Sequence, residues 1–269
     1  MIMLKQRVIT GVIGVPIIIL TIWFGTPWFS LLIAAATLAG TFEFYGMGNL
    51  GKREPLIYFG LLLALALVFS PHYNSINTLP MVITAIVLIS LIWLLFRTPS
   101  KDAFRNWAWI ITGAIYIGWM LSYWLSLRGL DDGRNWVYLA ILTIFANDTG
   151  AFFIGRAMGK HKLAPITSPN KTWEGAIGGL VSAILGAIII VLILNLISPF
   201  GFKYWQIVLL GFLISLFAQL GDLAESLLKR NMEAKESGNL LPGHGGILDR
   251  FDSLIFVGPV VYYFVVFAL

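Results

Sequence analysis

Near the C-terminus, residues 226–252 read SLLKRNMEAKESGNLLPGHGGILDRFD. Lys229, Arg230, Lys235 and Arg250 can neutralise phosphate oxygens, and Asp249 and Asp252 are hard oxygen ligands for a cation such as magnesium. His244-Gly245-Gly246 lets backbone amides come close to an anion. Cations and carboxylates together suit a metal-bridged polyphosphate. Only 12% of the chain is charged, so this concentration beside apolar runs needs a reason beyond solvation. The plain alternative is a basic loop whose lysines fix membrane topology.

A second set lies upstream. In NDTGAFFIGR, Asp148 stands eight residues before Arg156, about 12 Å along a helix axis and so below a membrane surface. A charge there faces a hydrated cavity, a cation or a basic partner. The run Ser168-Pro169-Asn170-Lys171-Thr172-Trp173-Glu174-Gly175 reads as a turn that starts a helix and as a phosphate contact, and the two are compatible. Gln219, Asp222, Glu225, Ser226 and Lys229 recur at helical spacing and share one face of an emerging helix. Asp222 and Asp249 therefore become candidates to converge. Glu43, in an apolar run, is open between a structural hydrogen bond and a role at a groove, and Asp252 between an N-cap of the last helix and support for a metal.

The elements that must position these residues are apolar helices. With 58% hydrophobic residues over 269 positions and a mean hydropathy of +0.86, an ordinary soluble surface is excluded. The fold expected is all-α and polytopic, with about nine transmembrane helices near 8–24, 28–45, 56–70, 79–96, 107–127, 136–155, 175–197, 204–221 and 253–269. Residues 1–127 would carry about five spans, and 128–269 would form a catalytic region of about four, with cytoplasmic loops 156–174 and 222–252. A cytoplasmic N-terminus puts all Lys and Arg inside except Arg128, Arg134 and Lys203, which places the C-terminus on the far side. The first run, preceded by Lys5 and Arg7, reads as a retained helix rather than a signal peptide. Gly175, Gly178, Gly179, Ser182 and Gly186 are spaced for close helix packing. Without cysteine there is no disulfide or thiolate chemistry. The net charge of +5 is dispersed between apolar runs, so the partner expected is an anionic membrane lipid and not nucleic acid.

The 226–252 stretch resembles the signature of the phosphatidate cytidylyltransferase (CDP-diacylglycerol synthase) family. Ser226, Lys229-Arg230, Lys235, Gly238, Pro242, His244-Gly245-Gly246 and Asp249-Arg250-Phe251-Asp252 match it, and Glu236 stands where the family has Asp. Asp148-Thr149-Gly150-Ala151 and 168–175 are similar to two further family blocks, with Asn170 in place of a Lys. The resemblance implies that CTP and phosphatidic acid give CDP-diacylglycerol and pyrophosphate, assisted by magnesium (Mg2+), in the cell's inner membrane with the site facing the cytoplasm. Catalytic roles are implied for Asp148, Lys171, Asp222, Lys229, Arg230, His244, Asp249 and Arg250, with Asp222 and Asp249 on the metal. Ser168, Asn170, Thr172, Ser226, Lys235, Gly245 and Gly246 join the substrate contacts. An anionic lipid phosphate scarcely needs a general base, so His244 is expected to bind phosphate or shape the loop. The resemblance also suggests a homodimer, with the glycines of span seven as one contact. The rival readings are a CTP-dependent polyprenol or phytol kinase, an ion-coupled transporter using Glu43, Asp148 and Asp222, and a structural protein that binds anionic lipid.

Overall fold

The structure, a computed structural model, describes residues 2–48, 55–73, 75, 77–96, 101–197, 203–240, 243 and 245–268, with side chains from residue 11 onward. Lys52, Arg53, Arg97, Pro242 and His244 lie outside the described residues, as do the side chains of Lys5 and Arg7. Nine helices appear among the described residues. They are α1 (Ile2–Phe24), α2 (Trp28–Met47), α3 (Leu56–Val68), α4 (Thr78–Leu95), α5 (Ala103–Arg128), α6 (Gly133–Met158), α7 (Trp173–Ile197), α8 (Tyr204–Asn231) and α9 (Leu248–Ala268). Within α5, Ala114–Trp119 winds as a π-helix.

The chain is an all-α, polytopic membrane protein. Seven helices are long and apolar enough to cross a bilayer, while α3 and the part of α1 with described side chains, Gly11–Phe24, are shorter apolar segments. The outward face of α7 explains why. Ile177, Val181, Leu185, Ile189 and Ile193 are exposed at intervals of four, whereas Gly179, Ala183 and Ala187 are buried. An apolar outside and a small-residue inside suit lipid, not water.

The only strands among the described residues are β1 (Lys162–Ala164) and β2 (Ser168–Thr172). They form an antiparallel hairpin between α6 and α7 and pair Lys162 with Thr172 and Ala164 with Ser168. The run read as a turn is thus extended up to Thr172. The helix start is retained, because Thr172 Oγ1 accepts the Gly175 amide at 3.1 Å and caps α7.

Two compact units form, residues 1–125 with 234–251 and residues 126–233 with 252–269. In the first, Leu63, Ala64 and Leu67 of α3 meet Ile86 of α4 and Ala114 of α5 in the core. Tyr45 of α2, fully buried, donates its hydroxyl to the Ile110 carbonyl of α5 at 2.7 Å. The side chain of Leu248 packs beside Gly40 of α2, so the 234–251 segment belongs with the N-terminal helices.

The second unit is an antiparallel helix assembly. Gly155 of α6 lies against Gly175 of α7, Ile154 against Gly178, Asn147 against Gly179 and Ala146 against Gly186. The close packing read from those glycines is therefore present within the chain, between α6 and α7. Gln219 of α8 donates to the Ala176 carbonyl of α7 at 3.1 Å. Gln206 at the start of α8 reaches the Ala268 carbonyl at the end of α9 (2.8 Å), and Ser253 of α9 reaches the Ala218 carbonyl (3.2 Å). Antiparallel packing thus brings the C-terminal ends of α6 and α8, the N-terminal end of α7 and the 252 end of α9 to one end of this unit.

Candidate active site

Charged residues collect at that end. Lys171 Nζ, at the end of β2, lies 2.7 Å from Asp222 Oδ2 on α8. The side chains are 23% and 42% exposed, but the ammonium nitrogen is shielded and meets no acceptor in hydrogen-bonding geometry. Ser226 donates to Asp222 Oδ1 at 3.4 Å. The Asp222 charge acts on both Asp148 of α6 and Asp252 of α9; Lys171 acts on Asp148, and Lys229 on Asp252. Three carboxylates and two lysines, from four elements distant in sequence, form one electrostatic group. Lys229 is also held by Glu225 Oε2 at 2.8 Å, one helical turn earlier, and Glu225 is wholly buried.

Uncharged groups hold this arrangement. Asn147 donates from Nδ2 to Asp148 Oδ1 at 3.0 Å, and its Oδ1 accepts from Ser215 Oγ (2.7 Å) and Gln219 Nε2 (3.2 Å) of α8. Sequence reasoning placed Gln219 on the right face but missed Asn147 and Ser215, which carry no charge to signal a site. At the base of the hairpin, Glu174 in the first turn of α7 accepts the amides of Lys160 (3.1 Å) and His161 (3.2 Å) and sits 2.6 Å from His161 Nδ1. Arg230 donates through Nε to the Thr167 carbonyl at 3.3 Å, tying the end of α8 to the hairpin turn. Ser168 is half-buried and Asn170 exposed on β2.

In the first unit, Asp249 Oδ2 accepts the Ser237 amide and hydroxyl, both at 2.9 Å, and the Gly246 amide at 3.0 Å. Glu43 accepts the amides of Ile247 (3.0 Å) and Leu248 (2.9 Å) and lies 3.1 Å from the Ser237 hydroxyl. Gly245 adopts φ +82°, in the left-handed region that favours glycine. The backbone amides at 246–248 thus do approach anions, and those anions are the chain's own carboxylates. Lys235, Glu236 and Arg250 are exposed. Asp222 and Asp249 belong to different units, each described within its own. Asp252 is not an N-cap, because α9 begins four residues earlier, at Leu248, where Glu43 accepts the Leu248 amide and the Ser237 hydroxyl oxygen the Asp249 amide.

These features define a class: a polytopic helical membrane protein with carboxylates and lysines gathered at helix ends, a setting for phosphate chemistry. The chain matches the cytidylyltransferase family over residues 5–268 and belongs to it, which makes it an enzyme of the nucleotidyltransferase class. It is 37% identical to the phosphatidate cytidylyltransferase of Bacillus subtilis (strain 168), over 98% of both chains. It is 34% identical to the phosphatidate cytidylyltransferase of Staphylococcus haemolyticus (strain JCSC1435), over 96% of this chain and 97% of the relative.

Proposed function

We propose that the protein is a phosphatidate cytidylyltransferase of the cell membrane, with its site on the cytoplasmic side. A phosphate oxygen of phosphatidic acid attacks the α-phosphorus of CTP in line. The new oxygen–phosphorus bond gives CDP-diacylglycerol, and the bond to the β-phosphate breaks to release pyrophosphate. The nucleophile is already anionic, so the protein aligns two polyanions and neutralises charge. The observation that carries this reading is the group of Lys171, Asp222, Asp148 and Asp252 in a chain of this family. Lys171, whose shielded ammonium has no aligned acceptor, is assigned to a phosphate, as are Arg230, Lys235 and Arg250. Lys229 joins them while paired with Glu225.

Magnesium fits these residues in kind, since carboxylate oxygens are its usual protein ligands. Among the described residues, no three Asp, Glu or His side chains gather as a cage for a metal. Magnesium usually takes one or two carboxylates and completes its octahedron with phosphate oxygens and water. Asp222, whose charge acts on Asp148 and Asp252, is the first ligand proposed; Asp249 is the second nominee, and the two are tested separately. When bound, the ion would neutralise charge on phosphate oxygens.

The test is pyrophosphate release by the detergent-purified protein given CTP, phosphatidic acid and magnesium, beside Asp222→Asn and Asp249→Ala variants. Release that needs both substrates and the metal, and falls at least about 100-fold in Asp222→Asn, is the expected result. CDP formation without pyrophosphate would replace this reading with that of a CTP-dependent lipid kinase.

A further inference from the structure

Two glycines of the 234–251 segment press on one buried carboxylate. Glu43 is 5% exposed, near the end of α2. A Cβ at Gly238 would land on Glu43 Oε1, and one at Gly246 would strike Ser237 Oγ and Glu43 Oε2. At these two positions the segment closes around this side chain, and at Gly246 the backbone nitrogen of Gly238, 2.7 Å from a Cβ placed there, also leaves no room for alanine. The charge is met by the Ile247 and Leu248 amides at the start of α9, where the helix dipole also favours an anion. The Ser237 hydroxyl lies 3.1 Å from Glu43 Oε2 and 2.9 Å from Asp249 Oδ2, with a single proton to donate. Glu43, Ser237 and Asp249 thus link α2 to the first turn of α9, which carries both Asp249 and Arg250.

We propose that Glu43 is a positioning residue for the transferase, fixing Ser237 and the first turn of α9 so that Asp249 and Arg250 are held in place without Glu43 touching substrate. The proposal rests on the reading of the 234–251 segment as part of the transferase site. It accounts for a carboxylate in an apolar helix with no substrate chemistry of its own to do. A displacement of the segment by about 1 Å is enough to lower turnover by about 100-fold.

The experiment compares wild type, Glu43→Gln, Gly246→Ala, the double variant and Arg250→Ala, as full-length protein in lipid nanodiscs. Glu43→Gln keeps the side-chain shape but turns one acceptor oxygen into a donor facing other donors. Its kcat for pyrophosphate release is expected to fall about 10- to 100-fold. Hydrogen exchange should quicken at the 246–248 amides and stay near the wild-type rate elsewhere, with the melting temperature falling only slightly because one buried acceptor is mispaired. The double variant should be no slower than the slower single variant, since both act through one contact. Wild-type kcat in Glu43→Gln with Arg250→Ala inactive would overturn the role of Glu43. Molecule-wide faster exchange, with kcat falling only as far as the folded fraction falls, would overturn it too, leaving Glu43 a stability residue. Wild-type turnover in Arg250→Ala would instead overturn the reading of the segment on which the proposal rests.

Discussion

Lys171 and Asp222 stand 2.7 Å apart, and each leaves the other with an uncompensated charge if it is removed. Lys171→Met keeps the length of the side chain and removes its charge. It should lower kcat/KM for CTP by about 100- to 1,000-fold, measured by pyrophosphate release at saturating phosphatidic acid. Lys171→Arg is no conservative exchange, because a planar guanidinium presents a rigid fork of donors where an ammonium is a compact point charge. Charge made Lys171, Asp148 and Asp222 legible in the sequence. Asn147 and Ser215 were not, because their meaning depends on the register of α6 against α7 and α8. Asn147→Leu should destabilise the protein by about 1–3 kcal/mol, since it strips a partner from Ser215, Gln219 and Asp148 together. Thermal unfolding in detergent measures this, and Ser215→Ala, which removes one hydroxyl, should cost less.

At the scale of elements, the apolar runs were plain from composition, but their ends were not. The last helix was expected to start at 253, yet α9 starts at Leu248. Its first amides are capped by Glu43, whose Oε2 accepts from Leu248, 205 residues away, a partner that local patterns do not reveal. The stretch 168–172 likewise has turn-forming residues, and its pairing with 162–164 makes it a strand. Thr172, at the junction, is read more simply. Thr172→Ala removes the cap of α7 and should cost about 1 kcal/mol in thermal unfolding. The small residues of α7 are legible in the sequence as helix-packing positions, and the partner they meet within the chain is α6. Gly178→Val would drive a branched side chain into Ile154 and should destabilise by about 1–3 kcal/mol in the same measurement.

For the whole molecule, membrane residence follows from the outward apolar faces. Leu185 lies at the middle of α7, on its exposed stripe. Leu185→Lys should raise the cost of inserting that helix by about 3–4 kcal/mol, seen as a lower yield of protein in the membrane fraction. The Glu43 carboxylate has a different consequence, for biogenesis. α2 leaves the ribosome early, whereas the hydroxyl and amide donors that satisfy Glu43 come 194 and 205 residues later. At about 5–20 residues per second, roughly 10 to 40 s of synthesis separate them. Through that interval the nascent α2 carries a carboxylate whose eventual partners have not yet been made. A chain stopped before Ser237 keeps it in that condition for good, a mark by which quality control could tell an unfinished protein from a finished one.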